Sequence, residues 1–140
     1  MLRGIPNCLS PDLMHTLMSM GHGDEIVLAD ADFPGPSLAQ RLIRADGIQL
    51  TVLLEAILSF FPLDPFTENP VLTMDYKPWS PGEPPSYALF RSIIKKHDQR
   101  FKDFDYLERF ALYDRSRKAY AVVMTSEPDG NLILKKGVCA

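Results

Sequence analysis

The sequence predicts a single compact α/β domain, residues 1–140, built on a small mixed sheet. Short apolar runs typical of buried strands alternate with longer segments whose apolar residues recur at helical spacing. The chain has 140 residues, of which 46% are hydrophobic, so one domain can bury a substantial core. An Asp129-Gly130 pair between the last two apolar runs is typical of a hairpin and predicts one antiparallel strand pair.

Signals for helix starts, stops and turns divide the chain. Ser10 followed by Pro11 marks the start of the first helix, and Gly21 marks its end. The predicted helices and helical turns lie at residues 11–20, 38–41, 51–60, 86–96 and 108–118, and in the helix at 86–96 the side chains expected to face inward are Leu89, Phe90, Ile93 and Ile94. The predicted strands lie at residues 25–29, 43–47 with its turn, 71–75, 119–125 and 131–136.

A proline-rich loop at residues 77–85 joins the third predicted strand to the next helix. It contains Trp79, the chain's one tryptophan. Prolines make such a loop stiff rather than floppy. Trp79 therefore serves as part of a lid, as a subunit contact, or only as a packed surface aromatic, and the sequence leaves these open.

Charge and cysteine content limit the classes of partner. The net charge is −3, whereas a nucleic-acid-binding domain needs a basic face. Cys8 and Cys139 lie near opposite ends without metal-like spacing, which favours free thiols in a reducing compartment. The chain has no signal-peptide core and no apolar run near the ~20 residues of a membrane span. We expect a cytoplasmic protein that binds neither nucleic acid nor a membrane.

His22 lies between two glycines just before the first strand, and Asp30 follows that strand. Glycine on both sides leaves space around the imidazole, so a small molecule can approach it. Ligands of α/β sheets bind outside the carboxyl ends of strands, which favours Asp30 as a binding residue. The alternative is that His22 is simply exposed after a helix ends at Gly21.

Arg109 and Tyr113 are four residues apart in a predicted helix and therefore project from one face. Together they offer hydrogen-bond donors to a hydroxyl-rich ligand. The alternative is a surface arginine lying over a half-buried tyrosine. Because His, Asp and Tyr exchange protons without a nucleophile, this set suits acid–base chemistry on an uncharged polar ligand.

The sequence has no phosphate-binding loop, dinucleotide fingerprint, nucleophile elbow or zinc-protease motif. A metal site formed by His22, Asp24, Asp30 and Asp32 would lack a second imidazole ligand. These residues therefore do not favour a metal site, and no cofactor-binding motif is present.

Nearly the whole chain resembles the fucose mutarotase and ribose pyranase family of sugar isomerases, most closely the fucose mutarotase branch. The matching stretches are Leu9 to Pro11, Met20 to Ile26, Ala29-Asp30, Phe33-Pro34, Ile43 to Gly47, Pro62 to Asp64, Glu108 to Phe110, Tyr113, Ala121 to Val123 and Gly130 to Val138. The resemblance implies a three-layer, Rossmann-like fold with helices on both faces of the sheet. It also implies a cofactor-independent isomerase that interconverts the anomers of a monosaccharide such as L-fucose, with its site between neighbouring subunits of a decameric ring.

The resemblance also implies residue roles. His22 matches the proton donor or acceptor, and Asp64 and Tyr113 match acid–base residues. Residues that match sugar-binding or pocket-wall positions are Asp30, Met74, Arg109 and Asn131.

Asp129 departs from the family pattern, because it occupies the position of a tyrosine that helps to hold the sugar. An aromatic ring is lost there and a charged acceptor is gained. Alternative functions are therefore pyranose–furanose interconversion of D-ribose, a non-catalytic sugar-binding accessory protein, or a structural ring protein.

Overall fold

The computed structural model describes residues 1–139, which form a six-stranded sheet and five helices. The helices are α1 (Pro11–Ser19), α2 (Gly35–Leu38), α3 (Leu50–Leu58), α4 (Pro85–His97) and α5 (Arg109–Lys118). The strands are β1 (Glu25–Ala29), β2 (Leu42–Arg44), β3 (Val71–Met74), β4 (Asp105–Leu107), β5 (Ala121–Met124) and β6 (Leu132–Lys135). No helix within residues 1–139 has the length and apolar character needed to cross a bilayer.

The strands lie in the order β2-β5-β1-β6-β3-β4. β6 pairs antiparallel with β1 on one side and with β3 on the other, and every other pairing is parallel. The carboxyl ends of β1, β3, β4 and β5 therefore meet at one edge of the sheet, together with the start of β6. The predicted mixed α/β sheet is confirmed.

Alternate residues of β1 pack on opposite faces of the sheet, as the two-residue period of a strand requires. Ile26 and Leu28 belong to a core that contains side chains of α1, α3 and α4, such as Phe90. Val27 and Ala29 belong to a second core formed with α2 and α5. Helices on both faces bury the central strands completely, which explains why these strands read as continuous apolar runs.

The predicted hairpin between the last two strands is wrong. β5 lies beside β1 on one side, and β6 lies beside β1 on the other. Leu132, Ile133 and Leu134 are fully buried, so β6 needs a partner on each side rather than a place at the edge. The connection from residue 125 to 131 instead crosses the end of β1, where Ala31 N–H donates to the Glu127 carbonyl.

Several local boundaries also differ from the predictions. The second helix is Gly35–Leu38, before the predicted turn, and β4 lies in a segment for which no strand was predicted. Glu108 is not helical but caps α5, since its carboxylate accepts from the N–H groups of Phe110 and Ala111. Leu89 is 56% exposed rather than inward, and Tyr87 takes the buried position on α4.

Candidate functional site

Six of the predicted site residues lie at the edge where the parallel strands end. Asp30 directly follows β1, Met74 ends β3, and Arg109 begins the helix after β4. Asn131 precedes β6, which runs in the opposite direction and so starts at the same edge. The carboxyl edge of an open α/β sheet is where such folds bind ligands.

These residues surround one cavity of about 330 Å³. Its volume is in the range of small-molecule pockets. Among the cavity-lining residues are six that the sequence predicted, namely Asp30, Met74, Arg109, Tyr113, Asp129 and Asn131. The structure adds five others to the lining, Asp32, Phe33, Trp79, Tyr87 and Pro128. The cavity combines carboxylates, an amide, a guanidinium and aromatic rings, which together suit a neutral ligand rich in hydroxyl groups.

Asp30 and Asn131 hold each other in place. The Asp30 N–H donates to Asn131 Oδ1 at 2.8 Å, and Asn131 Nδ2 donates back to Asp30 Oδ2 at 3.1 Å. Asp30 Oδ1 also accepts from the Asp32 N–H at 3.1 Å. Burial raises the pKa of Asp30, although hydrogen bonds from the backbone and from Asn131 oppose the rise. Two polar groups that line the cavity thereby fix each other's position.

Arg109 and Tyr113 lie on one face of α5, as their spacing predicts. Arg109 Nε donates to the Tyr113 hydroxyl oxygen at 3.1 Å. The Tyr113 ring packs edge-on against Phe33, with centroids 5.4 Å apart. Since the hydroxyl oxygen accepts from arginine, the hydroxyl hydrogen is left for another acceptor. Tyr113 lines the cavity and thus keeps a hydroxyl hydrogen that it can donate to a ligand.

Helix α4 fixes the turn that carries Asp129. The Ser86 hydroxyl donates to the Asp129 carbonyl at 2.6 Å, and the Tyr87 hydroxyl donates to the Met74 carbonyl at 2.7 Å. Burial raises the pKa of Tyr87 to about 12, so this phenol stays neutral. The turn also brings Gly130 against the Phe90 ring, where a Cβ would lie 2.7 Å from a ring carbon. Asp129 itself keeps an exposed side chain.

His22 and Asp64 lie at the opposite edge of the sheet. His22 precedes β1, and the Asp64 N–H donates to the carbonyl of Lys135, the last residue of β6. A strand of five residues such as β1 spans about 17 Å. The expectation that His22 would share one site with Asp30 is therefore not met within a single chain.

The two residues form a pair. His22 Nε2 lies 3.0 Å from Asp64 Oδ1, and the His22 side chain is 44% exposed whereas that of Asp64 is 5% exposed. Asp64 also accepts from the Thr67 hydroxyl at 2.6 Å and from the Phe66 N–H at 3.1 Å. The hydrogen bond from Thr67, followed by those from His22 and Phe66, lowers the pKa of Asp64 to about 2. An ionised Asp64 can only accept, so the hydrogen of this contact belongs to Nε2, and in the neutral form of the ring Nδ1 is then the nitrogen without a hydrogen.

Substituting Asp64 with asparagine is expected to destabilise the protein by about 1–3 kcal/mol at pH 7, because Asn cannot replace the charged acceptor. The folded-state pKa near 2 lies below the unfolded value of about 3.9, so the carboxylate stabilises the fold above pH 4. This contribution is lost as the pH falls through about 2. Denaturant unfolding at fixed protein concentration should show the gap between wild type and Asp64→Asn narrowing from pH 5 to pH 2. Asp114→Asn, at an exposed position, is the matched control; an unchanged gap would contradict the assignment.

Within residues 1–139, no group of three or more His, Cys, Asp or Glu side chains is placed to hold a metal ion. His22 is separated from Asp30 and Asp32 by the length of β1, and the Asp24 carboxylate accepts from the Gly21 N–H at 2.8 Å. Asp24 thus fixes the turn before His22.

Sequence patterns did not indicate Phe33 or Tyr87 as cavity residues. Phe33 lies in a segment whose composition indicates a loop, and Tyr87 was not among the residues expected to face inward on its helix, so only the fold shows that both line the cavity. The position of Trp79 carried more signal, since a lone tryptophan in a proline-rich loop is unusual for a surface. The structure places Trp79 at the cavity, where a residue that serves as part of a lid would have to lie.

Fold and cavity together define a single-domain α/β protein with a small polar-ligand site outside the carboxyl ends of its strands. The chain belongs to the RbsD / FucU transport protein family, whose model matches residues 3–139. It is 44% identical over 140 residues to the L-fucose mutarotase of Actinobacillus pleuropneumoniae serotype 5b (strain L20), covering 99% of this chain and 97% of the relative. It is 46% identical to the fucose mutarotase of Mus musculus, covering 97% and 94%.

A solved structure resembles the fold over its whole length. The crystal structure of the fucose mutarotase in complex with L-fucose from Streptococcus pneumoniae superposes with a TM-score of 0.88 at 43% identity. The match covers 99% of this chain and 100% of the other. The relatives therefore share both the architecture and close to half of the sequence.

Proposed function

We propose that this protein is a cofactor-independent isomerase that interconverts the α and β anomers of L-fucose. The observation that carries the proposal is the cavity at the carboxyl edge, where a carboxylate, an amide, a guanidinium and a phenol converge. Such groups bind hydroxyls, and the three carboxylates among the lining residues, Asp30, Asp32 and Asp129, disfavour an anionic ligand. Relatives that match nearly the full chain are named L-fucose mutarotase, and a neighbouring structure holds L-fucose.

Ring opening requires two proton transfers. One group removes the proton from the anomeric hydroxyl while another protonates the ring oxygen, and the C1–O5 bond breaks to give the open-chain aldehyde. Rotation about C1–C2 followed by closure on the other carbonyl face yields the other anomer, with both protons returned. Each positioned acid or base of this kind contributes about 10²–10⁴-fold.

We assign the two proton transfers to His22 and Tyr113. Nδ1 of His22 is the acceptor, because Asp64 holds Nε2–H. Tyr113 is the donor, because Arg109 occupies its oxygen and leaves its hydrogen for the ring oxygen. Asp64 acts through the imidazole, so it is a positioning residue here rather than a direct acid or base. Asp30, Asn131, Asp129 and Met74 bind and enclose the sugar.

His22 and Tyr113, to which the two proton transfers are assigned, lie at opposite edges of the sheet within one chain. We therefore propose that each site is completed by a second copy, whose His22–Asp64 pair approaches the cavity. In a ring of subunits, each copy places its His22–Asp64 edge against the cavity of one neighbour, and its own cavity contacts the His22–Asp64 edge of the other neighbour. Every site in the ring is then completed in the same way. The decameric ring implied by the family resemblance is such an arrangement.

The free state of Cys8 and Cys139 supports a cytoplasmic, reducing location.

The direct test is anomer exchange by NMR with wild-type protein. Selective saturation of the α anomeric proton of L-fucose should reduce the β signal only when the protein is present and active. D-ribose and a panel of other aldoses identify the preferred hydroxyl pattern. Saturable binding without faster exchange would favour the sugar-binding accessory protein, and neither binding nor exchange would favour a structural ring protein.

Asp129 is expected to influence which sugar is preferred. Its exposed carboxylate accepts hydrogen bonds where the family has a tyrosine ring, so D-ribose pyranose–furanose conversion is the second candidate reaction. Asp129→Tyr should shift the kcat/KM ratio of L-fucose to D-ribose toward L-fucose by about tenfold, the size of one lost or gained polar or stacking contact. An Asp12→Asn variant, altered at an exposed acid far from the cavity, is the control. An unchanged sugar profile would exclude this role.

A further inference from the structure

Trp79 lies at the cavity with a large open ring surface. The residue is 52% exposed, whereas Phe33 and Tyr87 on the same cavity are 5% and 2% exposed. The ring pairs found within residues 1–139 do not include Trp79. Among the aromatic side chains of the cavity, Trp79 therefore has the face most available to a ligand.

The loop that carries Trp79 is held in one conformation by its own hydrogen bonds. The N–H groups of Trp79 and Ser80 both donate to the Tyr76 carbonyl, at 3.1 and 3.0 Å. The Lys77 N–H donates to the Asp75 carboxylate at 3.1 Å, and the Ser80 hydroxyl donates to the Gly82 carbonyl at 2.6 Å. Prolines between these contacts restrict the backbone further. An exposed tryptophan on such a turn therefore loses little backbone conformational entropy when a ligand binds to it.

Both ends of this loop are tied to the cavity wall. It begins after Met74, which lines the cavity, and it leads into α4, where Ser86 holds the Asp129 carbonyl. The loop that carries Trp79 is therefore anchored beside the cavity at both of its ends. Asp129 and Trp79 line the same cavity, so a ring from a different part of the chain is present where one has been lost.

We infer that Trp79 is the aromatic platform of this site and packs against the C–H face of the bound sugar. A pyranose presents hydroxyls at its rim and C–H groups on its faces. Carboxylate, amide and guanidinium groups of the cavity satisfy the rim, and an indole ring is the largest apolar surface that can cover a face. Trp79 thus determines sugar affinity and takes no part in proton transfer.

This inference rests on the proposed isomerase function, and the two can fail separately. Because Trp79 is the chain's one tryptophan, fluorescence excited at the indole band reports this position alone. Titrating wild type with L-fucose should give a saturable change in emission whose midpoint matches the KM from NMR exchange. Exchange without any emission change would overturn the platform but leave the isomerase intact, whereas the absence of exchange would overturn the isomerase.

Substitutions of Trp79 distinguish a requirement for an aromatic ring from a requirement for side-chain size alone. Trp79→Leu should raise KM by about tenfold with kcat changed less than about threefold, and Trp79→Phe should restore most of the affinity. Leu89→Ala, at a 56% exposed apolar residue of α4 outside the cavity lining, should leave KM unchanged. If Leu and Phe at position 79 behave alike, or if kcat falls while KM stays constant, the platform is excluded.

Discussion

Replacing His22 with alanine should slow L-fucose anomer exchange by about 10²–10⁴-fold, the loss expected for one general base. The substitution should lower kcat and leave KM nearly unchanged. His22 is proposed to contact only the anomeric hydroxyl, because the cavity of a neighbouring chain holds the sugar. Trp79 fluorescence titrations should therefore give nearly the same midpoint for His22→Ala as for wild type. The measurement is saturation-transfer NMR over a range of enzyme concentrations.

His15→Ala is the matched control for this variant, since His15 is exposed on α1 and does not line the cavity. It should retain wild-type exchange. Since the Asp64 carboxylate keeps its bonds to Thr67 and Phe66 when the imidazole is removed, the fold should persist. Full exchange activity in a folded His22→Ala protein would refute the assignment of the base.

Tyr113→Phe is expected to cause a loss of about 10²–10³-fold in kcat, because phenylalanine cannot protonate the ring oxygen. The substitution keeps the ring that packs edge-on against Phe33, so the cavity wall stays in place. KM should change by less than about tenfold, since the one hydrogen bond to substrate that is lost contributes about 0.5–1.5 kcal/mol. Exchange rates at several fucose concentrations separate the two effects.

Tyr120→Phe makes the same chemical change at a distance from the cavity, under the guanidinium of Arg41. It should leave both kinetic constants unaltered. If Tyr113→Phe raises KM but keeps kcat, Tyr113 binds the sugar without donating a proton. In that case the donor must be sought among the other cavity residues.

The sequence predicted the α/β architecture because its strongest signals are local. Ser10 and Pro11 start α1, and the apolar run of β1 reads as a buried strand from composition alone. The strand order is not local: the turn at Asp129-Gly130 matches a hairpin, yet β6 is inserted between β1 and β3 to bury three fully apolar residues. The sequence did not predict β4, because its three residues, Asp105 to Leu107, form no apolar run and lie at the edge of the sheet.

The cavity could be predicted in part for the same reason. Asp30 follows a strand, and Arg109 and Tyr113 share a helical face, so spacing and the rule for carboxyl ends place these three residues well. Asn131 was indicated by the family resemblance alone. The sequence order places His22 before β1 and Asp30 after it, at opposite ends of the strand, but it could not show whether a second chain brings the two edges together. The sequence left the role of Trp79 open between a lid, a subunit contact and a packed aromatic, because only the tertiary fold brings the proline-rich loop to the cavity.

The most direct test of a site shared between copies combines the two inactive variants in one assembly. His22→Ala and Tyr113→Phe chains carrying different tags are co-produced, and mixed assemblies are purified through both tags. If each site takes His22 from one chain and Tyr113 from another, about a quarter of the sites in an evenly mixed assembly carry both wild-type side chains. Exchange activity near a quarter of wild type is therefore predicted. Mixed assemblies no more active than either variant alone would contradict the shared site.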